Sequence, residues 1–214
     1  MTREGPGLPP ARRVWYVAYG SNMDLARFSC YVVGGRPTGA ARDCPGCRDP
    51  RMPEVSVPVE LAGVVYFATE SPVWTGGRAF YDPEASGRVF ARAHLVSAEQ
   101  FSDIAAQEMY RQPGADLDLS EVLRRGRAEL GCGRYETLVC PGTMDGLPVL
   151  TFTAPWRVRD LSWNRPSASY LRVLCRGLLE AGAWDLPAVA RYIAACPGAA
   201  GAWTARDIAE LVVG

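Results

Sequence analysis

The chain has 214 residues, 48% of them hydrophobic, enough to bury one core as a single domain. Its 23 basic and 23 acidic side chains balance, so no surplus of charge draws it to nucleic acid or to an anionic membrane surface. Every basic side chain is Arg, which excludes a lysine Schiff base and pyridoxal-type catalysis with it. The single histidine, His94, removes most multi-histidine metal sites, and seven Cys, an odd number, fit no disulfide framework and suit a reducing compartment. No apolar run approaches membrane-spanning length, and Met1 to Arg13 lacks the apolar centre of a signal peptide, so a soluble cytoplasmic protein is expected.

Residues 1–13, rich in Pro, Gly and Arg, read as a disordered leader. The run Val14-Trp15-Tyr16-Val17-Ala18-Tyr19 then reads as a buried strand that breaks abruptly into Gly20-Ser21-Asn22. Asn22 or Asp24 is placed to cap a helix through Leu25, Ala26 and Phe28. A strand ending in such a turn ahead of a helix gathers backbone N–H groups into a concavity suited to an anion; the alternative is a purely structural turn. Gly34 to Pro58 reads as a long surface loop. Its Cys44-Pro45-Gly46-Cys47 has no second half for a zinc site and is expected to hold free thiols.

Val57–Leu61 and Gly63–Thr69 look like strands, Gly76–Asp82 is a Gly-Gly turn into another, and Val89–Val96 is a further strand with Phe90, Arg92 and His94 on one face. His94 has no partner for chemistry in the sequence and is assigned a structural or surface role. Ser97-Ala98-Glu99-Gln100 matches a capping box, so a helix begins at Ala98. Its inward stripe is Phe101, Ile104, Ala105 and Glu108, with Gln100, Asp103 and Gln107 outside it. A carboxylate closing an apolar stripe is desolvated and titrates high, in the range useful for proton transfer; alternatively the helix ends there and Glu108 reaches solvent.

Arg111 to Gly133 is polar, with a short surface helix expected over Leu119–Leu130. Tyr135–Cys140 and Leu147–Thr153 flank a turn at Gly142–Gly146, giving a hairpin. Three helices follow: one with the stripe Tyr170, Leu171, Leu174, Leu178 behind Pro166-Ser167, one opened by Asp185 with Val189, Tyr192 and Ile193, and a short one opened by Thr204. The chain contains no internal repeat, no phosphate-binding glycine loop and no nucleophile elbow.

Five of these segments, in order, resemble the γ-glutamylcyclotransferase-like family: Tyr19-Gly20-Ser21-Asn22 after an aromatic strand, Gly76-Gly77-Arg78-Ala79, the Val89–Val96 strand with its helix and terminal Glu108, Tyr135 before a hairpin, and Pro166-Ser167-Ala168-Ser169-Tyr170. The resemblance covers residues 14–182. Residues 183–214 form a helical extension packed on the same domain. The chain departs from the family pattern at Ala105 and Met109, where Asp and Gly are common, and in the length of Arg111–Gly133.

The resemblance implies a mixed α+β fold (α/β in the broad sense) with a small twisted, partly closed β-sheet or barrel and flanking helices. It implies an enzyme, a carbon–nitrogen lyase or acyltransferase, that releases 5-oxoproline and a free amine from a γ-glutamyl amide. Glu108 is then the catalytic base and acid. Tyr19, Gly20, Ser21, Asn22, Tyr135 and Tyr170 are then the substrate-binding residues. The reaction needs an anion pocket for the α-carboxylate, which the backbone of the Gly20-Ser21-Asn22 turn offers, and donors for the oxyanion, either loop N–H groups or a Tyr hydroxyl such as Tyr135. No metal or organic cofactor is required. The partner is a small γ-glutamyl-type molecule, with specialised or secondary metabolism as its setting and a homodimer as an open possibility. Two alternatives stand beside this: hydrolysis or another cyclisation in the same pocket, and a non-catalytic small-molecule binding module.

Overall fold

The computed structural model describes residues 12–38 and 43–213. Of the leader expected at residues 1–13, residues 1–11 lie outside the described residues, and Arg13 already opens the first strand. That strand, β1 (Arg13–Ala18), is buried along all but its first residue, as its continuous apolar run requires of a strand covered on both faces. A single 3-10 turn (Ser21–Met23) follows, then α1 (Leu25–Val33). Asp24 rather than Asn22 caps this helix, its carboxylate accepting from the Arg27 N–H at 2.9 Å.

Six strands form one mixed sheet: β1, β2 (Ser56–Ala62), β5 (Arg88–Ser97), β6 (Arg127–Glu129), β7 (Thr137–Met144) and β8 (Leu147–Thr153). Their order is β2-β5-β1-β8-β7-β6, and the sheet does not close on itself. Neighbours pair antiparallel except β1 and β8, which run parallel with Trp15 opposite Val149. Pro58, with no N–H to donate, sits on the outermost strand β2, where the missing donor costs least. Between β2 and β5, the strands β3 (Val64–Ser71) and β4 (Gly76–Asp82) make a separate antiparallel pair. The outer side of β3 is bonded to later chain: the Phe67 N–H donates to the Pro197 carbonyl at 2.8 Å, and the Phe67 carbonyl accepts from Asn164 N–H at 2.9 Å.

The helix expected from Ala98 is α2 (Ala98–Glu108), and its capping box is complete. Ser97 Oγ accepts from Gln100 N–H at 3.0 Å while Gln100 Oε1 accepts from Ser97 N–H at 3.2 Å. Phe101, Ile104 and Ala105 are fully buried, but so is the side expected to face water: Gln100, Asp103 and Gln107 are buried too. The chain around residues 44–51 folds across them. Gln100 Nε2 donates to the carbonyls of Asp49 and Arg51, Arg48 Nε lies 3.0 Å from Asp103, and Gln107 bridges the Tyr31 carbonyl and the Gly46 N–H. The loop expected over Gly34–Pro58 is therefore the lid of a helix face, and it yields to β2 at Ser56.

The surface helix expected over Leu119–Leu130 is shorter: α3 (Ser120–Arg125) stops at Gly126, which takes φ +77°, and the chain turns into β6. The hairpin turn is also tighter than expected. β7 runs on to Met144 through an irregularity between Val139 and Gly142, leaving only Asp145 and Gly146 at the tip. At the C-terminal end, α4 (Ala168–Ala181) buries Tyr170, Leu171, Leu174 and Leu178, and its cap Ser167 accepts from Tyr170 N–H. Behind it lie α5 (Leu186–Ala195), capped by Asp185, and α6 (Ala205–Val213), whose Val189, Ile193 and Ile208 join the same core.

His94 has a structural place, in the interior rather than at the surface. It is fully buried, stacked on Phe28 at 4.0 Å between ring centres, with Nδ1 2.7 Å from Ser56 Oγ. Burial, helped by the nearby Arg92, pushes its pKa down to about 3. The folded chain thus refuses a proton that the unfolded chain accepts near 6.5. The stability this neutral ring contributes is whole above 6.5 and is lost as pH falls towards about 3. Melting temperature is expected to drop across that window, with a shallower slope in His94→Gln; an identical slope in the variant would show that other groups carry the acid sensitivity.

Candidate active site

A cavity of about 730 Å³ opens where β1 ends, between the 3-10 turn, the far end of α2 and the start of β4. Glu108, the last residue of α2, lies on its wall. Its carboxylate is packed by protein except where the cavity lets solvent in, so it is half-buried. Asn22 Nδ2 donates to Glu108 Oε1 at 3.0 Å and lies 3.2 Å from the Tyr16 hydroxyl oxygen. Desolvation raises the Glu108 pKa; Arg27, the Tyr31 hydroxyl, the Asn22 amide and Arg134 oppose that rise without cancelling it. A carboxylate so placed can take a proton and return it.

The turn before α1 presents donors to the same space. Met23 N–H bonds the Gly20 carbonyl and Asp24 N–H bonds the Ser21 carbonyl, at 3.1 and 3.2 Å. The N–H groups of Gly20, Ser21 and Asn22 precede these bonds and have no main-chain partner among the described residues. All three residues line the cavity, and Asn22 Oδ1 is buried with no hydrogen-bond partner found.

Tyr19, Tyr135 and Tyr170 line the cavity as well, in different hydrogen-bonding states. Tyr19 donates to the Phe152 carbonyl at 2.8 Å and Tyr135 to the Ala79 carbonyl at 3.1 Å. Tyr170 instead accepts from the Ala79 N–H at 3.3 Å, so its own hydroxyl hydrogen has no acceptor among the described residues. Tyr170 therefore has a hydrogen to give an incoming oxygen, whereas Tyr135 must first release Ala79.

Every residue expected at the site thus borders one cavity, and the structure adds several that sequence reasoning missed. Arg27 and Tyr31 share the cavity side of α1, four residues apart. The Arg27 guanidinium lies 4.8 Å over Trp74, which in turn stacks on Tyr170 at 5.0 Å. Arg78 is only 7% exposed inside β4, and Arg134 lies 4.6 Å over Tyr110. One signal was available: a strand reading Gly-Gly-Arg-Ala-Phe-Tyr holds a charge where every other position is apolar or small, and a buried charge needs a reason. Among the described residues no three His, Cys, Asp or Glu side chains gather as metal ligands. Cys44 and Cys47 are unbonded thiols whose pKa values burial pushes up to about 11 and about 12.

Against known proteins, no family model matches the chain. A curated relative, "Histone deacetylase 5" of Arabidopsis thaliana, is 30% identical over 200 residues, covering 84% of this chain but only 30% of the length of that protein. Two solved structures share the fold. One is a gamma-glutamyl cyclotransferase, with TM-score 0.53 and 15% identity over 94% of this chain and 98% of that one. The other is an uncharacterized protein from Homo sapiens, with TM-score 0.52 and 15% identity over 95% and 99%. The chain has the mixed α+β fold of gamma-glutamyl cyclotransferase. No helix among the described residues is long and apolar enough to cross a membrane.

Proposed function

We propose that the protein cleaves a γ-glutamyl amide by cyclotransfer, releasing 5-oxoproline and an amine. The observation that carries this reading is the Asn22–Glu108 hydrogen bond, which ties the Gly20-Ser21-Asn22 donors to a desolvated carboxylate across one cavity. The substrate's α-carboxylate lies against the free N–H groups of the turn. Glu108 removes a proton from the α-ammonium, and the freed nitrogen attacks the γ-carbonyl carbon to close a five-membered ring. The oxyanion so formed takes a hydrogen bond from Tyr170 or, after it leaves Ala79, from Tyr135. Glu108 then returns its proton to the departing nitrogen as the carbon–nitrogen bond breaks, and the ring nitrogen passes its second proton through Glu108 to the freed amine, which leaves as an ammonium. Each step uses main-chain and side-chain groups already placed at the cavity.

The Arabidopsis relative's name brings in a second amide-cleaving reading, hydrolysis, with water in place of the α-amine. That name belongs to a protein of which this chain spans 30%. The two readings differ in product. Incubation with a panel of γ-glutamyl amines, followed by mass spectrometry, yields 5-oxoproline if the ring closes and glutamate if water attacks. Ligand binding with no product from any member would favour a binding module instead.

A further inference from the structure

Three of the cavity's cations form no salt bridge among the described residues. Among its lining residues, Arg111 is paired with Glu136, and Asp43 with Arg36 at 2.7 Å. Arg27, Arg78 and Arg134 have no carboxylate partner among the described residues, and each keeps a buried Nε without a hydrogen-bond acceptor. Arg78 is 93% buried by its 7% exposure; its Nη2 donates to the Glu70 carbonyl, but its buried Nε is unsatisfied, a costly state for a guanidinium with no carboxylate beside it. Against these stands the Glu108 carboxylate, so the unpaired groups of the cavity sum to 3 − 1 = +2.

A γ-glutamyl group brings one carboxylate and one ammonium, net zero, and cannot answer that surplus. Nor does it fill about 730 Å³, a volume in the range of sites that enclose a much larger ligand. We infer that the amine released carries two negative charges, as a dicarboxylate or a phosphate monoester, and that Arg27, Arg78 and Arg134 hold that end of the substrate. Planar guanidinium forks suit both carboxylate and phosphate oxygens, and the Trp74 and Tyr110 rings under Arg27 and Arg134 keep two of the forks oriented. The inference rests on the cyclotransfer reading and adds the charge of the leaving group to it.

The test measures kcat/KM for 5-oxoproline release from four substrates: γ-glutamylputrescine, γ-glutamylglycinamide, γ-glutamylglutamate and γ-glutamyl-O-phosphoethanolamine. The expected order is cationic below neutral below dianionic, with at least about tenfold between neutral and the better dianionic substrate. The last two substrates separate the dicarboxylate from the phosphate source. In Arg27→Gln and Arg134→Gln, chosen because both side chains are half-exposed and their loss spares the core, the dianionic-to-neutral ratio should collapse towards one through KM. Neutral and dianionic substrates turned over alike by the wild type would overturn the inference and leave cyclotransfer standing. So would a ratio that survives both substitutions, or an equal loss on all substrates, which would place the α-carboxylate on these arginines. Absence of 5-oxoproline from every substrate would overturn both.

Discussion

Replacing Glu108 by Gln is expected to lower 5-oxoproline release by about 10²–10⁴-fold, the usual worth of a positioned acid–base group. The amide keeps the size of the carboxylate and an oxygen for Asn22 Nδ2 to bond, so the loss isolates proton transfer from packing. The same substitution should stabilise the fold at neutral pH. Burial raises the Glu108 pKa above its ordinary 4.5, so the folded state holds its proton more tightly than the unfolded state. That contribution is whole below 4.5 and is lost as pH rises through the raised folded value, above which the wild type bears the cost of a desolvated charge. The variant should melt higher than wild type at pH 7 and lose that advantage in acid, with roughly 2–4 °C for each kcal/mol. Activity retained in Glu108→Gln would remove the mechanism; a lower melting temperature at pH 7 would show that the carboxylate is a structural hub rather than a strained catalyst.

Gly177→Ala should damage both the fold and the site. Gly177 lies inside α4 where that helix presses on the turn after β1. A Cβ there would sit 2.5 Å from the Asp24 nitrogen and 2.6 Å from the Met23 carbonyl carbon, both main-chain atoms that cannot swing aside. Either α4 or the turn must move. Overpacking of this kind costs about 1–3 kcal/mol, which lowers the melting temperature by a few degrees per kcal/mol. The shifted segment follows Asn22 directly and contains the cap of α1, so the Asn22–Glu108 hydrogen bond should be misaligned as well. Thermal melts and steady-state kinetics on a γ-glutamyl amide together check this. A variant with wild-type melting temperature and KM would mean that the contact is loose in solution.

What the sequence disclosed of this site was set by local rules. Ser97 and Gln100 fix the start of α2 within four residues, and the 3.6-residue period then carries Glu108 to the inward side. The misreadings came from chain far away. Gln100, Asp103 and Gln107 follow the pattern of a wet helix face, and only the return of residues 44–51 across that face makes them interior. The cavity arginines were hidden for the same reason. The aromatic partners of Arg27 and Arg134, Trp74 and Tyr110, are remote from them in sequence. The end of α3 was missed on a smaller scale: the Arg- and Glu-rich stretch runs on past Gly126, but the backbone there turns left-handed and hands the chain to a strand.

The bond from Phe67 N–H to the Pro197 carbonyl gives residues 183–214 a duty unrelated to catalysis. β3 carries the run Val64-Val65-Tyr66-Phe67-Ala68, apolar and without proline, and β4 satisfies only one of its sides. Cut the chain after α4 and the Phe67 N–H loses its acceptor, while the Phe67 carbonyl keeps its bond from Asn164 N–H and Ala68 its bridge to Trp163. That leaves a partly uncovered strand rim that another copy could extend into intermolecular β-structure. The C-terminal helices then matter to solubility before they matter to turnover: a shortened chain should precipitate or self-associate during refolding even where its cavity is intact.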